Sequence, residues 1–532
     1  MTPQLVINAG GELNMETELD TITTRLPQVI YQAQTIRAGE QAAAKQCGVS
    51  MNQLMLAAGH AVFEWLTQVA PTLSGQRNIK RVVVLCGKGN NGGDAYIVAR
   101  LALQRGYQVT VYATDEVSDG AQAAYQAWRD SGGRQLALTE FNTEVDADVI
   151  VDGLLGSGLQ GEVREPYASA ISACNAHPAL TVAIDLPSGL SADSGQPLGC
   201  ALRADATITF IGLFAGLFTG AGADYCGQIF FAGLGVNDAF DAQQAAWLQR
   251  YQPQLPLLPR RAAASHKGSH GHVLIVGGQP GMSGAVTLAM QSALRAGAGK
   301  VSVACHPQVQ AIVAGGMVQG VATVEALQPM LKQADVVVLG CGLGQTDWAE
   351  QLWRAVIDSG KPLVIDADGL QWLARYPRQL QSAILTPHPG EAATLLGRDT
   401  AWVQQQRVEA VQQLQRNFGA HCLLKGAGSL VATRRASYLV DRGSAALAVA
   451  GMGDLLSGII AALWVQNRKT AQNLSGAQLD EAQAMDNDEL VAQQALLTAV
   501  WLHAVAGERA AEQGARGTLP SDLLGIIRQL VN

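Results

Sequence analysis

The sequence lacks several features that mark common classes of protein. Its eight cysteines include no Cys-x-x-Cys pair, so zinc-binding and dithiol-redox sites are not expected. Charged residues make up 15% of the chain, the net charge is −8, and there is no basic tract, so nothing indicates a nucleic-acid partner. Aromatic residues make up 5%, whereas there are 58 glycines. This composition favours an α/β protein with many tight loops.

Three further features of the sequence predict the cellular setting. Residues 1–20 contain no basic segment followed by an apolar one, so we expect no signal peptide. Cysteines within apolar strands, such as Cys305, indicate buried thiols in a reducing compartment, and we expect a cytoplasmic protein. The long uncharged run at 206–223 is rich in glycine and threonine. We interpret it as a strand and a glycine loop, and expect no membrane partner.

Short β-branched runs alternate with helical patterns twice along the chain, from RVVVLC to ATITFI and again from HVLIVG to HCLLKG. Such alternation predicts mainly parallel sheets covered by helices. Residues 245–271 break the rhythm with prolines and a small basic cluster, which is typical of a linker. We therefore predict two different α/β domains, residues 1–245 and 251–532. The polar, aperiodic segment 467–488 predicts a surface insertion.

Three polar loops follow predicted strands of the first domain: GNNGGD at 89–94, DGLLGSGLQGE at 152–162 and DLPSGL at 185–190. Ligands of open α/β sheets bind at these strand ends, where backbone N–H groups suit phosphates and Asn, Ser and Asp oxygens suit a hard cation. Asp152 and Asp185 could serve proton transfer. Alternatively each aspartate closes a turn, with Asp94 as the N-cap of a helix that starts at Ala95. Three such loops favour a site.

Glycine loops also follow the strands of the second domain, and none of them is a P-loop. Gly451 and Gly453 leave N–H groups open at a helix start, which suits a phosphoryl group. Asp454 beside them can take a proton from an attacking hydroxyl, or can simply cap the helix. Three other positions stay open. His388 is a ligand or a turn residue, Lys425 binds phosphate or is solvated, and the DADGL segment at 366–370 caps a helix or holds a cation.

The segments LMLAAGHAV, VVVLCGKGNNGGDAYIVAR, IVDGLLGSGLQGEVREP and VAIDLPSGL together resemble the YjeF N-terminal domain, the NAD(P)H-hydrate epimerase family, over residues 32–235. The resemblance implies a Rossmann-like three-layer fold, potassium (K+) at Asn91, Asp152 and Ser188, and catalysis at Asp185. The implied substrate contacts are Asn90, Asn91, Gly92, Gly93, Asp94, Gly156, Ser157, Gly158, Leu159, Gln160, Gly161, Glu162 and Asp185. The chain departs from the family at Ala95, where glycine is more usual, and at Phe214, near a common lysine.

The segments KGSHGHVLIVGG, RAGAGKVSVA, VIDADGL, LTPHPGEAATLLG, KGAGSLV and GMGDLLSG resemble the YjeF C-terminal domain, within the ribokinase-like superfamily. This resemblance implies ADP-dependent (in other branches ATP-dependent) NAD(P)H-hydrate dehydratase activity with Mg2+. The implied substrate contacts are Ala285, Gly344, His388 and the catalytic Asp454. The implied nucleotide contacts are Lys425, Gly426, Ala427, Gly428, Ser429 and Gly453. Met452 stands where the family usually has threonine.

Together the resemblances imply a bifunctional repair enzyme for hydrated NADH and NADPH. One domain would interconvert the R and S hydrates, and the other would dehydrate the S form with ADP, releasing AMP and phosphate. The partners implied are the hydrated dinucleotide and an adenine nucleotide. The alternatives are a small-molecule kinase, for hydroxymethylpyrimidine or a sugar, and a first domain that binds nucleotide without catalysis. The sequence leaves the oligomeric state open, a homo-oligomer included.

Overall fold

A computed structural model describes residues 22–73, 75, 79–309, 315–474 and 481–532. The strands, numbered in chain order, are β1 Val29–Tyr31, β2 Arg81–Cys86, β3 Gln108–Ala113, β4 Arg134–Ala137, β5 Val149–Gly153, β6 Leu180–Ile184, β7 Ala206–Phe210, β8 Leu213–Phe214, β9 Gln228–Ala232, β10 Leu248–Arg250, β11 His272–Val276, β12 Lys300–Cys305, β13 Met317–Gly320, β14 Val336–Leu339, β15 Leu363–Ile365, β16 Ala383–Leu385, β17 His421–Leu424, β18 Ser429–Ala432 and β19 Ser437–Val440.

The α-helices, numbered likewise, are α1 Ala33–Gln46, α2 Met51–Gln68, α3 Ala70–Leu73, α4 Asn90–Gln104, α5 Gln122–Asp130, α6 Tyr167–Asn175, α7 Gly222–Tyr225, α8 Asn237–Asp241, α9 Ser283–Arg295, α10 Val324–Gln333, α11 Asp347–Ile357, α12 Asp368–Arg375, α13 Pro389–Leu396, α14 Thr400–Gln405, α15 Arg407–Phe418, α16 Met452–Leu474, α17 Glu481–Ala511 and α18 Pro520–Leu530.

The first half is built on a parallel sheet of strand order β4-β3-β2-β5-β6-β7-β9. Successive side chains of a strand face opposite sides, and β2 shows this directly. Val82 and Val84 belong to the core that contains Trp65 of α2, whereas Val83 and Leu85 belong to the core that contains Ile171 of α6. Helices therefore cover both faces, and the expected Rossmann-like three-layer domain is confirmed.

The second half contains the parallel run β13-β12-β11-β14-β15-β16-β17, followed by the antiparallel strands β18 and β19. Val273 and Ile275 of β11 lie in one core with Ile459 of α16. Leu274 lies on the opposite face, in the core that contains Leu352 of α11. The two buried faces confirm the expected α/β architecture of the second half.

The two halves share a sheet through a strand that lies in the predicted linker. Strand β10 pairs with β1 in antiparallel orientation and with β19 in parallel orientation, so the second sheet continues into β1 and β8. Arg250 of β10 is buried, its Nε lies 2.6 Å from Oδ2 of Asp441, and its Nη1 donates to the carbonyl of Leu26 at 2.8 Å. The linker prediction is therefore wrong for residues 248–250, because pairing and burial hold them in place.

Two other expectations concern polar and apolar runs. The run 206–223 begins with β7 and continues through β8 into a glycine-containing loop, as expected. The polar segment 467–488 is largely helical where it is described, since α16 extends to Leu474 and α17 starts at Glu481; that it is a surface insertion stays a prediction. Once an apolar helix is packed, adding turns to its end costs little. Among the described residues, one stretch, Asp486–Ala511, is long and apolar enough to cross a membrane, but 72% of an apolar 18-residue window within it is buried, as in a core helix.

The buried ion pair between Arg250 and Asp441 should contribute more to the free energy of unfolding than an exposed ion pair does. Asp441→Asn leaves the Arg250 guanidinium, whose side chain is 7% exposed, without its charge partner, and we expect a loss of about 3 kcal/mol. Urea unfolding followed by circular dichroism measures it. Asp358→Asn removes the partner of Arg378 in an exposed pair and should cost less than about 1 kcal/mol. Equal losses in the two variants would contradict the prediction.

Two candidate active sites

The first glycine loop is the start of a helix. Helix α4 begins at Asn90, and its N-cap is Gly89, which gives no side-chain cap. The expectation that Asp94 caps a helix starting at Ala95 is therefore wrong. A Cβ on Gly92 would lie 1.8 Å from the carbonyl oxygen of Gly87, so glycine is required there for close backbone approach. The early helix start turns Asn90, Asn91 and Asp94 towards a cavity.

That cavity measures about 730 Å³ and lies at the carboxyl end of the first sheet. Of the residues expected to contact substrate, those on its wall are Asn90, Asn91, Asp94, Gly156, Ser157, Gly158, Leu159, Gln160 and Asp185. Four others are not part of the described wall: Gly92, Gly93, Gly161 and Glu162. Gly92 and Gly93 are buried, so their contribution is to packing. The structure thus brings the three predicted loops together.

Asp185 occupies a strained turn at the end of β6, with φ of 65°. Burial raises the pKa of its carboxyl to about 6, although hydrogen bonds from Ser157 and the charge of Arg37 lower it. Its neighbour Asp94 has a pKa well above the usual range because of burial and repulsion by Asp185 and Glu40. Carboxyl groups that titrate near neutrality are suited to acid–base chemistry.

Sequence reasoning missed Glu40 and Arg37, which reach the same cavity from α1. Burial and repulsion by Asp185 raise the pKa of Glu40 to about 7, and the charge of Arg37 opposes this shift. One signal could have found Glu40. It lies four residues after Ile36 and three before Ala43, both of which are buried, and therefore on the apolar face of the helix. A carboxyl group on that face requires a specific partner or a function.

Of the residues implied for potassium, Asn91 lies on the cavity wall, whereas Asp152 and Ser188 are fully buried and are not among the lining residues. Asp152 is fully buried and accepts from the Ser188 hydroxyl at 2.6 Å and the Ser188 amide at 2.8 Å. Burial raises its pKa to about 6, against these hydrogen bonds. The Asn91 side chain packs against Gly156, and its buried Nδ2 has no partner. Half a turn of the Asn91 amide exchanges its nitrogen and its oxygen. Asn91, Asp152 and Ser188 can then offer three oxygens to a monovalent cation, which would offset the buried charge of Asp152.

The second site is organised by a buried ion pair. Lys425 Nζ lies 2.9 Å from Oδ1 of Asp366, and the Ser457 hydroxyl donates to Oδ2 of Asp366 at 2.8 Å. Although burial opposes it, the Lys425 charge holds the pKa of Asp366 below its usual value. Helix α12 has no side-chain cap at its start, so the cap interpretation of the DADGL segment is wrong for Asp366, which contacts Lys425 instead, whereas the cation interpretation stays a prediction. A Cβ on Gly453 would lie 3.3 Å from Lys425 Nζ, so glycine leaves the ammonium group open at the helix start.

Asp454 lies in the first turn of α16, directly after Gly453. Burial and repulsion by Asp366 raise the pKa of its carboxyl to about 6, although a hydrogen bond with the Cys341 thiol and the charge of Lys425 lower it. A half-buried carboxyl with a pKa near neutrality, next to an ammonium group and a glycine-flanked helix start, can take a proton while an anion is held beside it.

The other residues implied for the second site are held by local contacts. His388 is the N-cap of α13, where its Nδ1 accepts from the amides of Gly390 and Glu391 at 3.0 and 3.3 Å, and its side chain is 58% exposed. The Gly344 amide donates to Asp368 at 2.8 Å. Ala285 is half-buried near the start of α9. The N-cap position confirms His388 as a turn residue, and Nε2 lies 3.6 Å from Glu391, yet the exposed ring remains accessible to a ligand.

Metal binding by acidic or sulfur ligands finds no support in the described part of the chain, where no group of three or more His, Cys, Asp or Glu residues is placed to hold an ion. The Asn91, Asp152 and Ser188 arrangement is of a different kind, because two of its three side chains are neutral. The potassium interpretation therefore depends on the donor geometry given above.

Comparisons with known proteins agree with the two halves. A family model described as YjeF-related protein N-terminus matches residues 51–216, and one described as NAD(P)H-hydrate dehydratase matches residues 273–529. The bifunctional NAD(P)H-hydrate repair enzyme Nnr of Coxiella burnetii is 40% identical over 95% of this chain and 99% of its own length. The Escherichia coli protein of the same name is 39% identical, with 95% of each chain covered.

A solved structure also resembles the second half. The ADP/ATP-dependent NAD(P)H-hydrate dehydratase from Bacillus subtilis, co-crystallised with ATP and Mg2+, is 26% identical, with a TM-score of 0.40, over 51% of this chain and 93% of its own.

The raised pKa of Glu40 predicts a pH-dependent gain in stability on substitution. A carboxyl whose folded-state pKa is raised stabilises the fold below its unfolded pKa, and that contribution is lost as pH rises through the folded value, here about 7. Glu40→Gln should therefore raise Tm at pH 8 by about 2–4 °C, allowing for the partial exposure of the group. The difference should vanish near pH 4.

Thermal unfolding from pH 4 to pH 8 measures the effect. Glu144→Gln, an exposed position in the same domain, is the matched control and should show no such pH-dependent gain. A Glu40→Gln variant that is less stable than the native chain at pH 8 would show that the charged carboxylate is stabilised by its surroundings, against the prediction.

Proposed function

The chain belongs to the family of bifunctional NAD(P)H-hydrate repair enzymes, and from this premise we propose specific roles for its two sites. The domain at residues 1–245 interconverts the R and S hydrates of NADH and NADPH, and the domain at residues 251–532 dehydrates the S form with ADP. One observation carries the proposal: each half holds a carboxyl group with a pKa near 6, Asp185 or Asp454, at the carboxyl end of a parallel sheet. Asp185 lies within residues 51–216 and Asp454 within residues 273–529, the ranges that the two family models match.

In the dehydratase, ADP supplies the phosphoryl group that makes the ring hydroxyl a good leaving group, and Mg2+ offsets the phosphate charge. Asp454 takes the hydroxyl proton as the oxygen attacks phosphorus. The open amides at Gly453 and the Lys425 ammonium, 2.9 Å from Asp366, hold the phosphoryl oxygens. AMP leaves first, and loss of phosphate together with a ring proton then restores the dihydropyridine.

In the epimerase, the ring carbon must lose its oxygen from one face and regain it on the other. One group donates a proton to the departing hydroxyl, and another takes a proton from the water that adds opposite. Asp185 and Glu40 share the cavity and have pKa values of about 6 and about 7. At neutral pH one can be charged while the other holds a proton, which is the state that such a pair needs. The charge of Arg37, which lines the same cavity, lowers both pKa values and so favours the charged form of either group.

Potassium is proposed to bind at Asn91, Asp152 and Ser188. A bound potassium ion would offset the charge of the buried Asp152 carboxylate and would hold the Ser188 loop against the start of α4, where Asn91 lies. The unpartnered Asn91 amide and the 2.6 Å Ser188–Asp152 hydrogen bond support this site. We also propose a cytoplasmic location, in keeping with the sequence, and ADP rather than ATP as the preferred nucleotide.

Two substitutions should separate the activities. In a mixture of R and S NADPH hydrate with ADP, Mg2+ and K+, the native chain should restore all absorbance of the dihydronicotinamide band. Asp454→Asn should lower the dehydration rate by about 10²–10⁴-fold because it removes the base, while R and S still interconvert. Asp185→Asn should leave only the S fraction rapidly consumed. Asparagine tolerates the positive φ of 65° at this position, so the turn is retained.

Absorbance and chromatography of the two epimers measure these outcomes, with Asp358→Asn, an exposed position, as control. Continued R–S exchange in Asp185→Asn at the native rate would remove Asp185 from the epimerase. If the native chain shows no recovery with ADP or with ATP, the repair function itself is wrong, and a phosphorylated small-molecule product would favour a kinase.

The potassium site has a test that does not need activity. Potassium, but not sodium, should raise Tm of the native chain, by about 2–4 °C for each kcal/mol of binding free energy. Asn91→Ala removes an oxygen donor and leaves the Asp152–Ser188 contacts in place, so it should abolish the rise. Asn90→Ala, its neighbour in the same helical turn, should keep it. Equal effects of the two cations, or an unchanged rise in Asn91→Ala, would contradict the site.

A further inference from the structure

The loop proposed to bind the adenine nucleotide, residues 425–429, is supported by the other half of the chain. Gly428 has a φ of +59°, and a Cβ there would lie 2.2 Å from the carbonyl oxygen of Phe218. The hydroxyl of Thr219 lies 3.1 Å from the Gly428 carbonyl oxygen and 3.3 Å from that of Ala427. The inner face of the loop is thus packed on the first domain, whereas Gly426 and Ala427 are exposed on the outer face.

A buried arginine completes this contact. Arg407, at the start of α15, is 2% exposed, and its Nε donates to the Thr219 hydroxyl at 2.9 Å. Its Nη1 donates to Gln404 at 2.8 Å and its Nη2 to the Lys425 carbonyl at 3.4 Å. Burial lowers its pKa to about 10. Among the described residues, no carboxylate lies within ion-pair distance of it, so its charge is left to act on what binds at the loop.

We propose that Thr219, a residue of the epimerase half, is a positioning residue for the nucleotide-binding loop of the dehydratase half. This inference rests on the proposed function, because the loop is assigned to ADP there. Thr219 accepts from Arg407 with its oxygen and donates its hydroxyl proton to a loop carbonyl, and only a hydroxyl does both at one atom. The contact fixes the backbone of the loop before the nucleotide arrives, which reduces the ordering cost of binding.

The geometry also explains why the arginine is tolerated in the interior. A buried guanidinium without a carboxylate is costly, yet here three neutral acceptors take its hydrogen bonds: Thr219, Gln404 and the Lys425 carbonyl. Its positive charge then lies directly behind a loop whose ligand is a polyphosphate anion. Binding of that anion on the outer face would be favoured by this charge through the thin layer of backbone between them.

Titration calorimetry with ADP on the full chain tests the proposal, using Thr219→Val, Thr219→Ser and a matched control. Thr219→Val should weaken ADP binding about tenfold, the effect expected when a buried hydroxyl leaves its partners unpaired. The KM for ADP should rise with it, while kcat stays nearly unchanged. Thr219→Ser keeps the hydroxyl and should restore affinity. The control is Thr207→Val, since Thr207 is equally buried in the same half and donates to the Cys226 carbonyl, away from the loop.

Each outcome decides between explanations. Native affinity in Thr219→Val overturns the inference and leaves the proposed function intact. Equal weakening in Thr207→Val assigns the effect to general loss of stability and also overturns it, as does a failure of Thr219→Ser to restore binding. If the native chain binds neither ADP nor ATP, the nucleotide assignment of residues 425–429 is wrong, and this inference falls together with it.

Discussion

Both sites depend on one constraint: in a parallel sheet, every carboxyl end lies at the same edge. Asp152 is part of β5 and Asp185 follows β6, its neighbour, whereas Asp366 follows β15 and Lys425 follows β17. Charged groups at these ends lose much of their water, which costs free energy unless hydrogen bonds or opposite charges replace it. The partner that replaces the water therefore decides whether a carboxyl is held as an anion or titrates near neutrality.

The two halves meet this constraint in opposite ways. In the second half, Lys425 keeps Asp366 charged, and the repulsion from that fixed anion raises the pKa of Asp454. In the first half, burial raises the pKa of both Asp185 and Glu40, the charge of Asp185 raises that of Glu40 further, and the charge of Arg37 lowers both. A lysine–carboxylate pair suits a site that handles phosphate. A group of partly protonated carboxyls suits a site that moves protons on an otherwise unreactive ring.

Much of this arrangement could be predicted from the sequence, and the failures have physical causes. Alternating apolar runs predicted both sheets, the strand-end rule indicated Asp152 and Asp185, and the glycine-flanked helix start indicated Asp454. Glu40 was missed because its role depends on α1 packing over a cavity formed by distant loops. Helix α4 starts earlier than its pattern suggests, because Gly92 and Gly93, which are typical of loops, lie in its first turn. Strand β10 was missed because three residues give too little periodicity, and its pairing with β1 and β19 is long-range.

The departures from the family pattern have different consequences according to what each side chain touches. Ala95 is buried, and a Cβ on Gly153 would lie 2.4 Å from its methyl group, so this alanine faces strand β5. Phe214, in contrast, contributes to the wall of the first cavity. A lysine near this position would lower the pKa of nearby carboxyls, whereas a phenyl ring adds apolar surface, which raises it. The phenylalanine is therefore consistent with the raised pKa values of Asp185 and Glu40.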